Sequence, residues 1–339
     1  MITETSSRRN NTIDILRTLA ILAVVFAHSN SQVNTFLFNL RTFDVVMLVF
    51  LSGSSFYYAK KEIDSTNRYI FKRFVRLIVS SWFISLLYIS LIAVKGIILN
   101  STYSFDYTLF VKSLLFKNGI PYIWILYYLF VVSIINRLFY KTIQSLSQLL
   151  VIFLLLLIYI VFSFINIGLD ASDTFHNALS FYFITPVIYS MISLFGYKFI
   201  TFSLRLKIAC VLFLLTSTII FITVYGFIPD SFKYPPEFFY VSYGLLVTLG
   251  LYTIINNQLA RFPGIILFSF ISKNSIWIYL THIIIVQVYF SIYSILYNPI
   301  DDDFLMVLIH FTINTILPVL LVYLYFELKN RKKRRGEQI

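Results

Sequence analysis

The sequence predicts an all-α fold, a polytopic transmembrane bundle of about ten helices with both termini on the cytoplasmic side. Three observations carry that expectation. Hydrophobic residues make up 59% of the 339-residue chain and charged residues only 12%, roughly half the charged share of a soluble domain. Long apolar segments recur from one end to the other and are continuous rather than alternating in pairs, which argues against a transmembrane barrel. Basic residues concentrate in every second connecting loop, the charge pattern of a multi-pass membrane protein. Mean hydropathy is +0.82.

The elements follow in order. The first span, from Ile13 to about Asn30, contains Arg17 and His28 and has no small-residue cleavage site, so it is expected to stay in the mature protein. The second, Thr42 to Ala59, ends in the small residues Ser52, Gly53, Ser54 and Ser55, which suit close helix packing. The third, Phe74 to Val94, has the basic pair Arg73 and Arg76 at its start. Apolar runs then give Pro121 to Ile135, Leu149 to Ile165, Ala178 to Phe195, Ile208 to Phe227, Phe238 to Ile255, Ile276 to Ile295 and Phe304 to Tyr325. The run at Leu149 is the cleanest; those at Ala178 and Ile276 carry polar interruptions.

Charge bias orients the spans. One set of loops holds Arg8, Arg9, Lys60, Lys61, Arg68, Lys72, Arg73, Arg76, Arg137, Lys141, Lys198, Arg205, Lys207, Arg261 and Lys273, with a basic tail at 327–339. The other set holds Arg41, Lys95, Lys112, Lys117 and Lys233, together with Asp106, Asp170, Asp173, Asp230, Glu237 and the run Asp301, Asp302, Asp303. The first set is expected to be cytoplasmic, which needs an even number of spans. The chain reads as one membrane domain over 1–339, multi-pass in the cell membrane, with the lipid bilayer as a partner. A net charge of +12 does not point to nucleic acid, because topology accounts for the basic loops. The lone Cys210 excludes an internal disulfide framework.

Polar residues inside apolar spans cost several kcal/mol unless paired or hydrated. Arg17 and His28 are eleven positions apart, which returns to nearly the same helix face about 16 Å along the axis. That stripe suits a cavity; alternatively, Arg17 snorkels to the interface and pairs with Asp14 while His28 caps the helix. Arg73 and Arg76 share a face and are shaped to hold phosphates through bidentate contacts, although membrane anchoring also accounts for arginines there. His282 lies inside the ninth span, where a structural imidazole is the commoner finding. The histidines show no metal-ligand spacing, and no nucleotide-binding loop or serine nucleophile elbow is present.

These residues together resemble the acyltransferase-3 family of membrane O-acyltransferases, in the branch that includes exopolysaccharide acetylases. Ile13 to Ala20 followed by His28 resembles its first helix, in which a basic residue and a histidine are separated by ten positions. Arg73 and Arg76 are similar to its arginine pair, Phe50 to Gly53 to its Ser-Gly motif, and Tyr279 to His282 to its late Tyr-Leu-x-His motif. The segment Lys233 to Glu237, then Tyr243 and Gly244, is similar to the exopolysaccharide branch. Where relatives carry a His-Met-Pro-like run, this chain has Asp44, Val45, Val46 and Met47.

The resemblance implies O-acetylation, with an acetyl or other acyl group moved from cytoplasmic acyl-coenzyme A to a hydroxyl of an extracytoplasmic polysaccharide or glycan precursor. It implies catalytic roles for His28 and Arg17, donor binding by Arg73, Arg76 and Ser52, an acceptor cavity near His282, Glu237 and Asp44, and no metal. Acetyl-coenzyme A would be a donor substrate. The other reading the composition allows is a transporter for polysaccharide or lipid-linked sugar without acyl-transfer chemistry.

Overall fold

Apolar stretches of this length satisfy their backbone polar groups within the segment only as helices, and the structure, a computed structural model, is built from them. It describes residues 10–29, 35–59, 65–98, 106–120, 122–167, 174–258, 264–296 and 304–334. The helices are α1 (Asn11–Ala27), α2 (Thr35–Leu40), α3 (Asp44–Ala59), α4 (Thr66–Phe74), α5 (Ser80–Ile98), α6 (Tyr107–Leu114), α7 (Trp124–Ser145) and α8 (Gln148–Ile167). They continue with α9 (Thr174–Leu179), α10 (Thr185–Phe199), α11 (Leu204–Tyr225), α12 (Phe238–Gln258), α13 (Ile265–Lys273), α14 (Ser275–Leu296) and α15 (Phe304–Arg334). No strand occurs among the described residues. Arg8, Arg9, Lys60, Lys61, Asp170, Asp173, Arg261 and Asp301 to Asp303, with the side chains beyond Arg331, lie outside the described residues.

Among the described residues, eight helical segments are long and apolar enough to cross a membrane, and nine when α13 and α14, bent by 77°, count as one. The 17 residues of α1 sit at the short end of what spans a bilayer. The ten expected spans therefore each fall on a helix or on consecutive helices. Boundaries differ in three places. The third segment starts at Thr66 and crosses into α5 through a π-helical turn at Val75–Val79. The ninth breaks at Asn274, and the basic tail continues α15 as helix to Arg334.

At the centre lies α3, which packs on α1, α7, α10 and α12. Its crossing with α10 is close, because two glycines remove the side chains that would hold the helices apart. A Cβ on Gly53 would strike the Ser193 carbonyl, and one on Gly196 the Phe50 carbonyl. The Ser54 hydroxyl donates to the Gly196 carbonyl at 3.0 Å, and Asn136 Nδ2 donates to Ser193 Oγ at 2.8 Å. The expected packing role holds for this stretch, as close backbone approach through small residues drives membrane helix association. Large apolar side chains on α8, α11 and α15, such as Phe153, Phe164, Ile220 and Leu321, are exposed, as a lipid-facing surface requires.

Side-chain contacts fix the relative directions. Asn10, which caps α1 through the Thr12 and Ile13 amides, donates to Tyr58 near the end of α3 at 3.0 Å, so α1 and α3 are antiparallel. The first half of α15 meets the end of α1, with Phe311 against Phe26 at 5.4 Å and Asn314 Nδ2 donating to Ser29 Oγ at 3.5 Å. Further along, Tyr323 packs on Phe270 of α13, and Ser272 of the same helix donates to Asp14 in the first turn of α1. The start of α1 and the end of α15 thus lie at the same end of the bundle.

Candidate active site

Two cavities enter the bundle along α1. The first, of about 390 Å³, lies towards the start of α1 and is lined by Arg17, Ser52, Ser55, Arg73, Arg76, Ser272 and Lys273. Four cations and no carboxylate face it among the described lining residues, a composition suited to a polyanion. Arg17 is held by Ser55 of α3, whose hydroxyl accepts from Nη2, and by Ser272 of α13, which accepts from Nη1 at 3.4 Å. Ser272 in turn donates to Asp14 Oδ1 at 2.7 Å, so a hydroxyl ties the acid and the guanidinium together. Arg73 rests over the Tyr69 ring at 5.3 Å, and Arg76 Nη2 donates to the Lys273 carbonyl at 3.5 Å. Arg76 stands on the π-helical turn, a distortion found often at functional sites. The structure brings Arg17, Ser52, Arg73 and Arg76 into one chamber.

The second cavity, of about 440 Å³, lies towards the opposite end of α1 and is lined by His28, Arg41, Asp44, Tyr122, Asp230 and Lys233, among others. His28 ends α1, and its Nδ1 lies 2.9 Å from Nε2 of His282 on α14. His282 Nδ1 contacts the Tyr279 carbonyl. A carbonyl only accepts, so His282 Nδ1 carries the proton and its Nε2 accepts from His28 Nδ1–H. With both rings neutral, the lone pair of His28 falls on Nε2. The Tyr122 ring lies against His28, centroids 3.5 Å apart. Tyr122, Asn118 and Phe116 have φ of 81°, 54° and 59°, the positive-φ residues other than glycine among those described. Holding such residues there costs about 1 kcal/mol or more each, and all three line this cavity.

Charge in the second cavity is organised by Arg41. Its Nη1 donates to Asp44 Oδ2 at 2.9 Å and its Nη2 to Asp230 Oδ1 at 3.4 Å. Asp44 opens α3, where the helix dipole favours an acid, and its Oδ1 accepts from the Val45 amide at 2.7 Å. Lys233 is buried nearby. Burial pulls its ammonium below the ordinary lysine range, while Asp44 and Asp230 oppose that shift.

The two cavities share Leu48, Ile125 and Tyr279. These come from α3, α7 and α14, and the Tyr279 hydroxyl donates to the Tyr122 carbonyl. Glu237 is not part of either cavity. It lines a separate apolar groove with Tyr159, Phe221 and Phe238, because the Pro235–Pro236 pair turns the chain away between Tyr234 and the start of α12. Burial raises its carboxyl above the usual range. His310 packs on Tyr289 and Phe290, away from both cavities. Among the described residues no three His, Cys, Asp or Glu side chains converge on a metal position.

Reading the sequence alone did not single out Arg41, Asp230, Tyr122, Ser55 or Ser272 as site residues. Only Arg41 carried a usable signal, standing three residues before Asp44 at a helix start.

The fold and site define a polytopic membrane protein with cationic and imidazole-bearing chambers meeting inside the bundle. The acyltransferase-3 family profile, described as an acyltransferase domain, matches residues 10–327. The chain belongs to that family and is a membrane acyltransferase. No curated protein and no solved structure gives a significant match.

Proposed function

We propose that this protein moves an acetyl group from cytoplasmic acetyl-coenzyme A to a hydroxyl of an extracytoplasmic polysaccharide or glycan precursor. The observation that carries the reading is the pair of cavities approaching from opposite ends of the bundle, one cationic and one lined by His28 with His282 bonded behind it, with a common wall. The positive-inside bias assigns the cationic cavity to the cytoplasm. There Arg73 and Arg76 would hold donor phosphates by charge-assisted hydrogen bonds, with Ser52 and Arg17 beside the arm that brings the thioester towards His28.

A sugar hydroxyl is a weak nucleophile at neutral pH, and a base at its proton raises its reactivity. His28 Nε2 takes that proton as the oxygen attacks the thioester carbonyl carbon. A C–O bond forms, the C–S bond breaks, and the departing thiolate of coenzyme A takes up a proton. Arg17 contacts the donor from within the arginine-lined cavity. His282 holds the tautomer that leaves His28 Nε2 basic, and is a positioning residue. Asp44 orients the acceptor side through Arg41.

The test is mass spectrometry of cell-surface glycan. A strain lacking the protein should lose the increment of about 42 daltons that an acetyl substitution adds. The wild-type gene should restore it, and His28→Ala should not, while the variant still reaches the membrane. Full acetylation by His28→Ala would reject the assignment.

A further inference from the structure

The scheme above leaves one charge in the second cavity unused. Lys198 and Lys233 are equally buried, each 7% exposed. Lys198 is satisfied by the protein, its ammonium donating to the carbonyls of Gln144 at 3.0 Å and Leu146 at 2.7 Å. Lys233 is not: among the described residues its Nζ has no hydrogen-bond or ion-pair partner, and it lies 5.5 Å from the centre of the Tyr234 ring. The two carboxylates of the cavity are already engaged by Arg41, and Asp44 also accepts from a backbone amide. Asp44 and Asp230 attract Lys233 only from beyond ion-pair distance, and a buried ammonium that no acceptor touches is costly. The donor's phosphates have their own cations on the far side of Leu48, Ile125 and Tyr279.

We propose that the acceptor is an anionic sugar, its carboxylate or phosphate held by Lys233 in the cavity where its hydroxyl meets His28. A volume of about 440 Å³ falls in the range of small-molecule sites, roughly 300–1,000 Å³. The reaction part of this statement rests on the acyltransferase reading; the preference for an anion does not.

The experiment measures binding of three probes to the purified full chain in lipid nanodiscs, with coenzyme A present to fill the arginine-lined cavity. The probes are phenyl β-glucuronide, glucose 6-phosphate and neutral phenyl β-glucoside. At least one anionic probe should bind roughly tenfold to a hundredfold more tightly than the glucoside, the range of a charge-assisted contact, and the tighter one identifies the anion. Lys233→Met should erase that preference and leave the glucoside within about twofold, whereas Lys233→Arg should retain part of it. Equal binding of all three probes by the wild-type protein overturns the proposal. So does a Lys233→Met variant that weakens glucoside and anion by the same factor, the mark of a structural role. If acetyl-coenzyme A neither binds nor releases its thiol, the acyltransferase reading fails while the anion preference is still decided by the probes.

Discussion

The contact between His28 Nδ1 and His282 Nε2, at 2.9 Å, makes a quantitative prediction about His282→Ala. The substitution removes the acceptor of the His28 Nδ1 proton and leaves that group buried without its partner. Such a loss costs about 1–3 kcal/mol, and the same amount is available to favour the wrong tautomer or a rotated ring. At about 1.4 kcal/mol per factor of ten, turnover should fall between roughly fivefold and 150-fold. Removing His28 itself should cost more, about 10²–10⁴-fold, the usual contribution of a general base. The assay is release of the coenzyme A thiol in membranes containing the native glycan acceptor, with kcat and KM separated. Because His282 acts through His28, the double variant should be no slower than His28→Ala alone. Independent, multiplying losses would refute the relay, and so would wild-type turnover by His282→Ala.

Two other outcomes follow from the geometry. Reversing charge with Arg73→Glu should raise the KM for acetyl-coenzyme A about tenfold to a hundredfold with little change in acceptor KM; a defect confined to the acceptor would contradict the donor assignment. Gly196→Val should destabilise the α3–α10 crossing by about 1–3 kcal/mol or more, because its Cβ would strike the Phe50 carbonyl. Thermal unfolding in detergent should show a lower midpoint than for Leu321→Val on the exposed face of α15, and equal midpoints would count against the close approach.

The local parts of this structure were legible because they depend on period and composition. Arg17 and His28 lie eleven residues apart on one helix, and helical repeat alone aligns them. The second partner of the base was not legible: His282 comes from α14, and only the packing of α14 on α1 brings it to His28. Arg41 and Asp230 were hidden for another reason, since charges in loops are explained by topology before any site is considered. The bend at Asn274 carried no proline or glycine to announce it. The tail beyond 327 reads as a charged terminus, yet Glu327, Leu328 and the following Lys and Arg residues are strong helix formers, and α15 runs on through them. Glu237 shared a motif with Lys233 but not its cavity, because two prolines intervene.

The three residues common to both cavities, Leu48, Ile125 and Tyr279, form a side-chain septum between two chambers, against about 30 Å of hydrocarbon elsewhere. A membrane voltage would fall mainly across that septum. Carrying a charged molecule past it works with or against the field, at about 2.3 kcal/mol per elementary charge per 100 mV. An acetyl group is neutral, so the proposed transfer would require no electrical work and would leave every phosphate on its own side.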